Sequence, residues 1–233
     1  MAVQNLNLVE SLYADIRQKL QFSEVGPQDR LVDTEIAEAY GTSRMPAREA
    51  LLRLVAEGYL VGSTRGFVLP TLSKDDIADL FELRRQLEPR AAAAAARNLT
   101  ASAESALRRA MDEISAGHAQ ADIRAVIRAN VAFRTAWISA VRNPHMAATI
   151  SRFMDYFQAI RLQTFADPAT RLDYVVALEA LFQAFVARDP LAANDRMTAF
   201  LFAAETAYLS AHHTQLQSET AQKGRGSRRK LNA

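Results

Sequence analysis

The chain has 233 residues, 49% hydrophobic and 23% charged, enough for one or two compact domains with real cores and too apolar for general disorder. It contains no cysteine, which excludes disulfide scaffolds, thiolate zinc sites and cysteine nucleophiles. The formal charge of +2 divides into net -2 for residues 1–72, net 0 for 73–213 and net +4 for 214–233, so bulk charge names no partner and any case for DNA binding rests on individual arginines.

The N-terminal segment MAVQNLNLVESLYADIRQKL lacks the basic, apolar and small-residue zones of a signal peptide, and its apolar spacing predicts a helix over 7–21. No 18-residue apolar run follows. The expectation is a cytoplasmic protein with no membrane partner. Next, residues 31–58 read LVDTEIAEAYGTSRMPAREALLRLVAEG. Asp33 is expected to cap a short helix over 33–40, Gly41 to permit a left-handed turn, and a second helix over 45–58 to bury Ala47, Ala50, Leu51, Leu54 and Val55. Two helices joined by a short glycine-containing turn are a helix-turn-helix.

That burial leaves Arg44, Met45 and Arg48 facing outward near the start of the second helix, where a recognition helix meets base edges. An arginine there can be bidentate to guanine O6 and N7. Tyr59-Leu-Val and Phe67-Val-Leu then flank Gly62-Ser-Thr-Arg-Gly66, which predicts a β-hairpin and makes the motif winged. Arg65 and Gly66 fall at the wing tip, where a cation and an unhindered backbone can approach phosphate or the minor groove.

Beyond the hairpin, Gly117 alone serves the stretch from 67 to 223, which favours helices joined by short connections. Helices are expected at 74–98, 100–117, 121–141, 144–165, 168–187 and 190–212, with a kink or break at Pro89. Asn143, Asp167 and Asp189 each precede a proline and read as N-caps. His118 falls in a loop on this reading, His212-His213 at a solvated helix end, and Phe153, Tyr156 and Phe157 in plain core. The predicted organisation is a DNA-binding unit over 1–72, an all-helical unit over 73–213 and a basic disordered tail over 214–233.

The run TSRMPAREALLRLVAEGYLV with the following TRGFVL closely resembles the DNA-binding domain of the GntR family of bacterial transcription regulators. Leu31, Asp33, Ile36-Ala37, Gly41, Ser43-Arg44, Pro46, Arg48 to Leu51, Leu54, Glu57-Gly58 and Gly66 fall in register with it. The resemblance implies Arg30, Arg44, Arg48 and Gly66 as the main DNA contacts. Gly26-Pro27 departs from the family's usual Pro-Gly and reshapes the loop before Arg30.

Residues 74–212 resemble the all-helical effector domain of the FadR-like subgroup, called FCD, starting at Asp79-Leu-Phe-Glu-Leu-Arg84 and ending with Ala184, Asp189, Ala193 and Met197. The implied fold is mainly α, a winged helix-turn-helix followed by an antiparallel helical bundle that dimerises. Many members hold a divalent metal with one aspartate and three histidines. In register, those positions here hold Asn130, Arg134, Leu178 and Phe200. Leucine, phenylalanine and a charged guanidinium offer no lone pair, so neither metal nor other cofactor is expected.

Asn130 and Arg134, four apart on one helical face, instead suit a pocket for an anion with an apolar body, walled by Leu178 and Phe200; Arg84 is read first as a structural ion pair and second as another guanidinium for the pocket. The alternative for Arg134 is an internal salt bridge to a bundle acid such as Glu88. The implied partners are a palindromic double-stranded DNA operator, a small-molecule effector and a second copy of the chain. A metal held through unexpected ligands is the subordinate version. An enzyme is the contrasting class, and no Gly-rich phosphate loop, metal triad or nucleophile with a partner histidine supports it; the lone Trp137 fits packing.

Overall fold

The computed structural model describes the backbone of residues 2–156 and 158–231 and the side chains of 8–153, 155, 161, 162 and 164–210. Helix α1 (Ala2–Gln21) presents Val9, Leu12, Tyr13, Ile16 and Leu20 along one face, the three-to-four spacing of a buried helical stripe. That face packs against α3 (Arg44–Ala56), whose Ala47, Ala50, Leu51 and Leu54 are fully buried. Truncating Leu51 or Leu54 to Ala costs about 2–5 kcal/mol in such a core. Between them, α2 (Asp33–Ala39) contributes Ile36 and Ala37.

The turn from α2 to α3 closes as a Schellman motif: the Thr42 amide donates to the Ala37 carbonyl at 2.9 Å and the Gly41 amide to that of Glu38 at 3.1 Å. Gly41 has φ +60°, a conformation that glycine adopts without steric cost. Strands β1 (Val61–Ser63) and β2 (Gly66–Val68) pair antiparallel with Ser63 opposite Gly66, so the wing turn is only Thr64-Arg65, tighter than the five-residue turn expected from the sequence. Leu31 and Phe67 exchange both backbone hydrogen bonds at 2.8 Å, tying the wing to the segment before α2.

The remaining helices are α4 (Lys74–Asn98), α5 (Ala101–Ala119), α6 (Ile123–Ser139), α7 (Pro144–Tyr156), α8 (Gln158–Ala166), α9 (Pro168–Val186) and α10 (Pro190–Leu231). Their starts follow local chemistry. Ser73 and Asp76 form a capping box, and the Asn143, Asp167 and Asp189 side chains accept from amides two or three residues on, as the Pro-preceding caps predicted. Helix α4 packs chiefly against α10, and α5 against α6 and α9. Ala91, Ala92, Ala95 and Ala96 are all buried, small enough to let the neighbours of α4 approach closely. The bundle core is separate from the winged one, and Trp137 stacks on Phe185 within it at 6.2 Å.

Two expectations need correction. Helix α4 runs unbroken through Pro89, which lies buried among its own neighbours rather than ending the helix, so packing outweighs the lost hydrogen bond. His118 occupies the last turn of α5 instead of a loop, since the helix continues past Gly117. The stretch expected as one helix over 144–165 is helical over Pro144–Tyr156 and Gln158–Ala166, and Phe157 between them lies outside the described residues. Helix α10 is assigned as far as Leu231; the side chains of the basic tail expected over 214–233 lie outside the described residues. The side chains of Tyr156, His212 and His213 lie outside the described residues, while Phe153 is half-buried.

Candidate DNA-reading face and buried pocket

Helix α3 begins at Arg44, one residue after Ser43, whose side chain makes no capping hydrogen bond. The burial of Ala47, Ala50 and Leu51 turns Arg44, Met45 and Arg48 outward, and Met45 is 72% exposed. Asp33 does not cap α2. Val32 takes that position, and the Asp33 carboxylate, almost fully buried, reaches across to α3 instead. Its Oδ2 accepts from Arg44 Nε at 2.9 Å and from Arg48 Nη1 at 3.1 Å. Burial works to raise the Asp33 pKa, but the hydrogen bonds and charges of the two arginines outweigh it and hold the carboxyl below its ordinary range.

A cleft of about 690 Å³ runs between α3 and the wing, lined by Asp33, Thr34, Arg44, Arg48, Leu52 and the wing residues 62–67. Arg65 is exposed at the turn of the wing. Gly66 has φ +122°, and a Cβ there would sit 2.5 Å from the Leu31 carbonyl oxygen, so its glycine identity is required by the wing's own packing. Arg30 is exposed and its stem lies beside Gly66. Thr34 and Leu52 escaped the sequence reading because nothing in their spacing sets them apart from other exposed helical positions.

In the bundle, Arg84 (α4), Asn130 and Arg134 (α6), Leu178 (α9) and Phe200 (α10), singled out from sequence, all line one internal cavity. It measures about 20 Å³, room for a single water. Arg161 of α8 and Tyr174 of α9 complete its polar wall. These two went unpredicted, since they lie on other helices and no period links them to α6. The Tyr174 hydroxyl donates to Asn130 Oδ1 at 3.0 Å, while the buried Asn130 Nδ2 has no partner among the described residues. Phe200 meets Tyr174 edge-on at 5.0 Å, and the pair separates this cavity from an outer cleft of about 340 Å³ between α9 and α10.

Charge in the pocket is unevenly matched. Arg84 pairs with Glu88 through Nε–Oε1 at 2.5 Å and Nη2–Oε2 at 3.3 Å, so Glu88 is already engaged and is not the partner of Arg134. Arg134 reaches Asp155 of α7 instead, at a long 3.4 Å, and its buried Nε has no partner among the described residues. Burial first, and the neighbouring Arg161 cation second, depress the Arg134 pKa to about 10 despite Asp155. Asp155 is itself shared with Arg17 at 3.0 Å and Gln21 at 3.2 Å, both on α1.

A metal does not suit this wall. The four aligned positions supply one amide, one guanidinium and two hydrocarbons, and the Arg84, Arg134 and Arg161 cations around them oppose a bound cation. Among the described residues, no cluster of three or more His, Asp or Glu side chains is placed to hold one.

A helix-turn-helix with a wing, its second helix opening on outward arginines, joined to a helical bundle, is the architecture of bacterial DNA-binding regulators. The chain belongs to the gntR family of bacterial regulatory proteins, whose pattern matches residues 8–66, and carries an FCD domain, matched over residues 79–203. It is 30% identical over 135 residues to the HTH-type transcriptional regulator McbR of Escherichia coli K12, covering 58% of this chain and 61% of that protein. It is 39% identical over 75 residues to the Nta operon transcriptional regulator of Aminobacter aminovorans, covering 32% of this chain and 36% of that one. The chain therefore aligns with less than two thirds of either relative's length.

The solved structure of E. coli McbR/YncC superposes with a TM-score of 0.79 at 23% identity, over 88% of this chain and 98% of that one. A putative GntR regulator from Rhodococcus sp. RHA1 superposes with a TM-score of 0.71 at 21% identity, over 87% and 98%. Both share the fold. No helix among the described residues is long and apolar enough to cross a membrane.

Proposed function

We propose that this regulator reads a palindromic operator as a homodimer and releases or tightens on it when an organic anion with an apolar body binds the helical bundle without a metal. The observation that carries this reading is Arg134: a buried guanidinium, held among the described residues by one 3.4 Å contact, on a wall shared with Leu178 and Phe200. A buried cation so weakly compensated costs several kcal/mol in such a setting, which an anion offsets. The buried amide nitrogen of Asn130, without a partner among the described residues, adds a donor at the same place. The cavity as it stands is too small for the ligand, so the anionic head enters as Phe200 and Tyr174 part, and the body fills the outer cleft.

On the DNA side, Arg44, Met45 and Arg48 face base edges, while Arg30 and Arg65 flank them toward phosphate or the minor groove. Support comes from one cleft that gathers Arg44, Arg48 and Arg65 beside the open start of α3, where uncapped amides suit phosphate. Gly66 serves this surface by letting the wing close on Leu31.

Binding to the DNA upstream of its own gene, followed by fluorescence anisotropy across a panel of aromatic and fatty acids, tests the proposal. Tight, sequence-dependent binding that shifts at least about fivefold with one acid is expected. Binding that no acid alters, or that returns with a stoichiometric divalent metal alone, contradicts it.

A further inference from the structure

The Asp155 carboxylate joins a residue that lines the pocket to the winged unit. Its side chain is 1% exposed, and it accepts from Arg134 of α6 on one side and from Arg17 and Gln21 of α1 on the other. Helix α1 is in turn the helix packed on α3. Arg17 also stands over the ring of Tyr59 at 5.2 Å, and Tyr59 belongs to the same core as Leu51 and Leu54 of α3. An unbroken chain of contacts thus runs from the pocket cation to the helix that carries Arg44 and Arg48.

We infer that Asp155 is a positioning residue that transmits occupancy of the Arg134 pocket to helix α1, and through it to the DNA-reading helix. The inference rests on the effector reading above and adds its route. A carboxylate divided among three donors in a buried site holds each less firmly than it holds two, because little water is present to compensate. When an anion takes the Arg134 guanidinium, Asp155 is left to Arg17 and Gln21. Those contacts strengthen, and α1 is held more rigidly against α7. Since α1 packs on α3, the setting of the recognition helix relative to the bundle is restricted at the same time. Coupling is reciprocal: whatever DNA does to α1 must feed back on the affinity of the pocket by the same factor.

The route is testable without knowing the ligand, because Arg134→Met imitates the loss of the Arg134 charge from Asp155. Amide hydrogen exchange of residues 17–21 is measured on the full chain, with α5 as internal reference. Arg134→Met is expected to slow exchange there about fivefold, and to change it less than about twofold in an Arg17→Met, Gln21→Met background, the non-additivity that marks a direct interaction. No change in the first case, or equal changes in both, overturns the route. A thermal melt checks that each variant folds; if Arg134→Met does not, Arg134→Gln removes the same charge while keeping a donor, and carries the same expectations. Stabilisation of the wild type by an organic acid is read separately. An acid that binds while the exchange cycle shows no coupling therefore leaves the effector site standing and removes only the relay.

Discussion

Arg48 of the recognition helix donates from Nη1 to Asp33 Oδ2 at 3.1 Å, and Arg44 reaches that same oxygen at 2.9 Å. One buried carboxylate on α2 therefore sets the direction of both guanidiniums, which on the proposed reading lowers the ordering cost of DNA binding. Arg48→Ala should weaken the specific site by about 1–3 kcal/mol if the contact is to a base. Asp33→Asn should do something different: it removes a negative charge from the cleft, so non-specific affinity rises, while discrimination against scrambled DNA falls because the arginines lose their common anchor. Titrations of both variants at matched salt check this, and unchanged discrimination in Asp33→Asn would remove the anchoring role.

Acid should expose the same pair. The arginines hold the Asp33 pKa below its ordinary 3.8, against the opposing effect of burial. A depressed carboxylate contributes stability that is complete above the unfolded value and lost as pH falls through the native one. The difference in melting temperature between wild type and Asp33→Asn should thus stay constant from pH 7 to about 5 and shrink only below about 4. A difference already shrinking at pH 6 would point to another group.

Gly66→Ala should act through the wing's packing. The backbone at φ +122° and a Cβ 2.5 Å from the Leu31 carbonyl both oppose a side chain there, and a backbone oxygen cannot swing aside. A loss of about 1–3 kcal/mol in urea unfolding is expected, with weaker DNA binding as its consequence. Normal stability with lost binding would instead make Gly66 a direct contact alone.

Much of this arrangement was legible in the sequence because the signals were local. Asn143, Asp167 and Asp189 announced their helices through the prolines that follow them, and Gly41 announced its turn. The pocket's Asn130 and Arg134 share a face by their spacing of four, and the family register brought Leu178 and Phe200 opposite. Asp33 was misread because a residue at a helix start serves equally as cap or as ion-pair partner, and only the approach of α3 decides. Asp155 and Arg161 were illegible for a similar reason: their partners lie on helices distant in sequence, and a buried charge looks like any surface charge until the fold encloses it. Pro89 shows the converse: the local signal allows a break, and the helix nonetheless continues through it.

Metal content offers an independent check on the pocket. With Asn130 at best a weak ligand and three arginines nearby, protein purified without a His-tag should carry well under one equivalent of zinc, manganese or nickel per chain. A stoichiometric metal that survives dialysis would contradict the pocket's assignment to an anion.

The central claim concerns Arg134, and a thermal-shift screen of organic acids on wild type and Arg134→Ala addresses it most directly. At least one aromatic or fatty acid should raise the wild-type melting temperature by several degrees, on the order of 1–2 kcal/mol of linkage at concentrations well above its Kd. The Arg134→Ala protein should fold and show no such shift. Equal stabilisation of both proteins by the same acid would contradict the claim and return Arg134 to a purely internal pairing with Asp155.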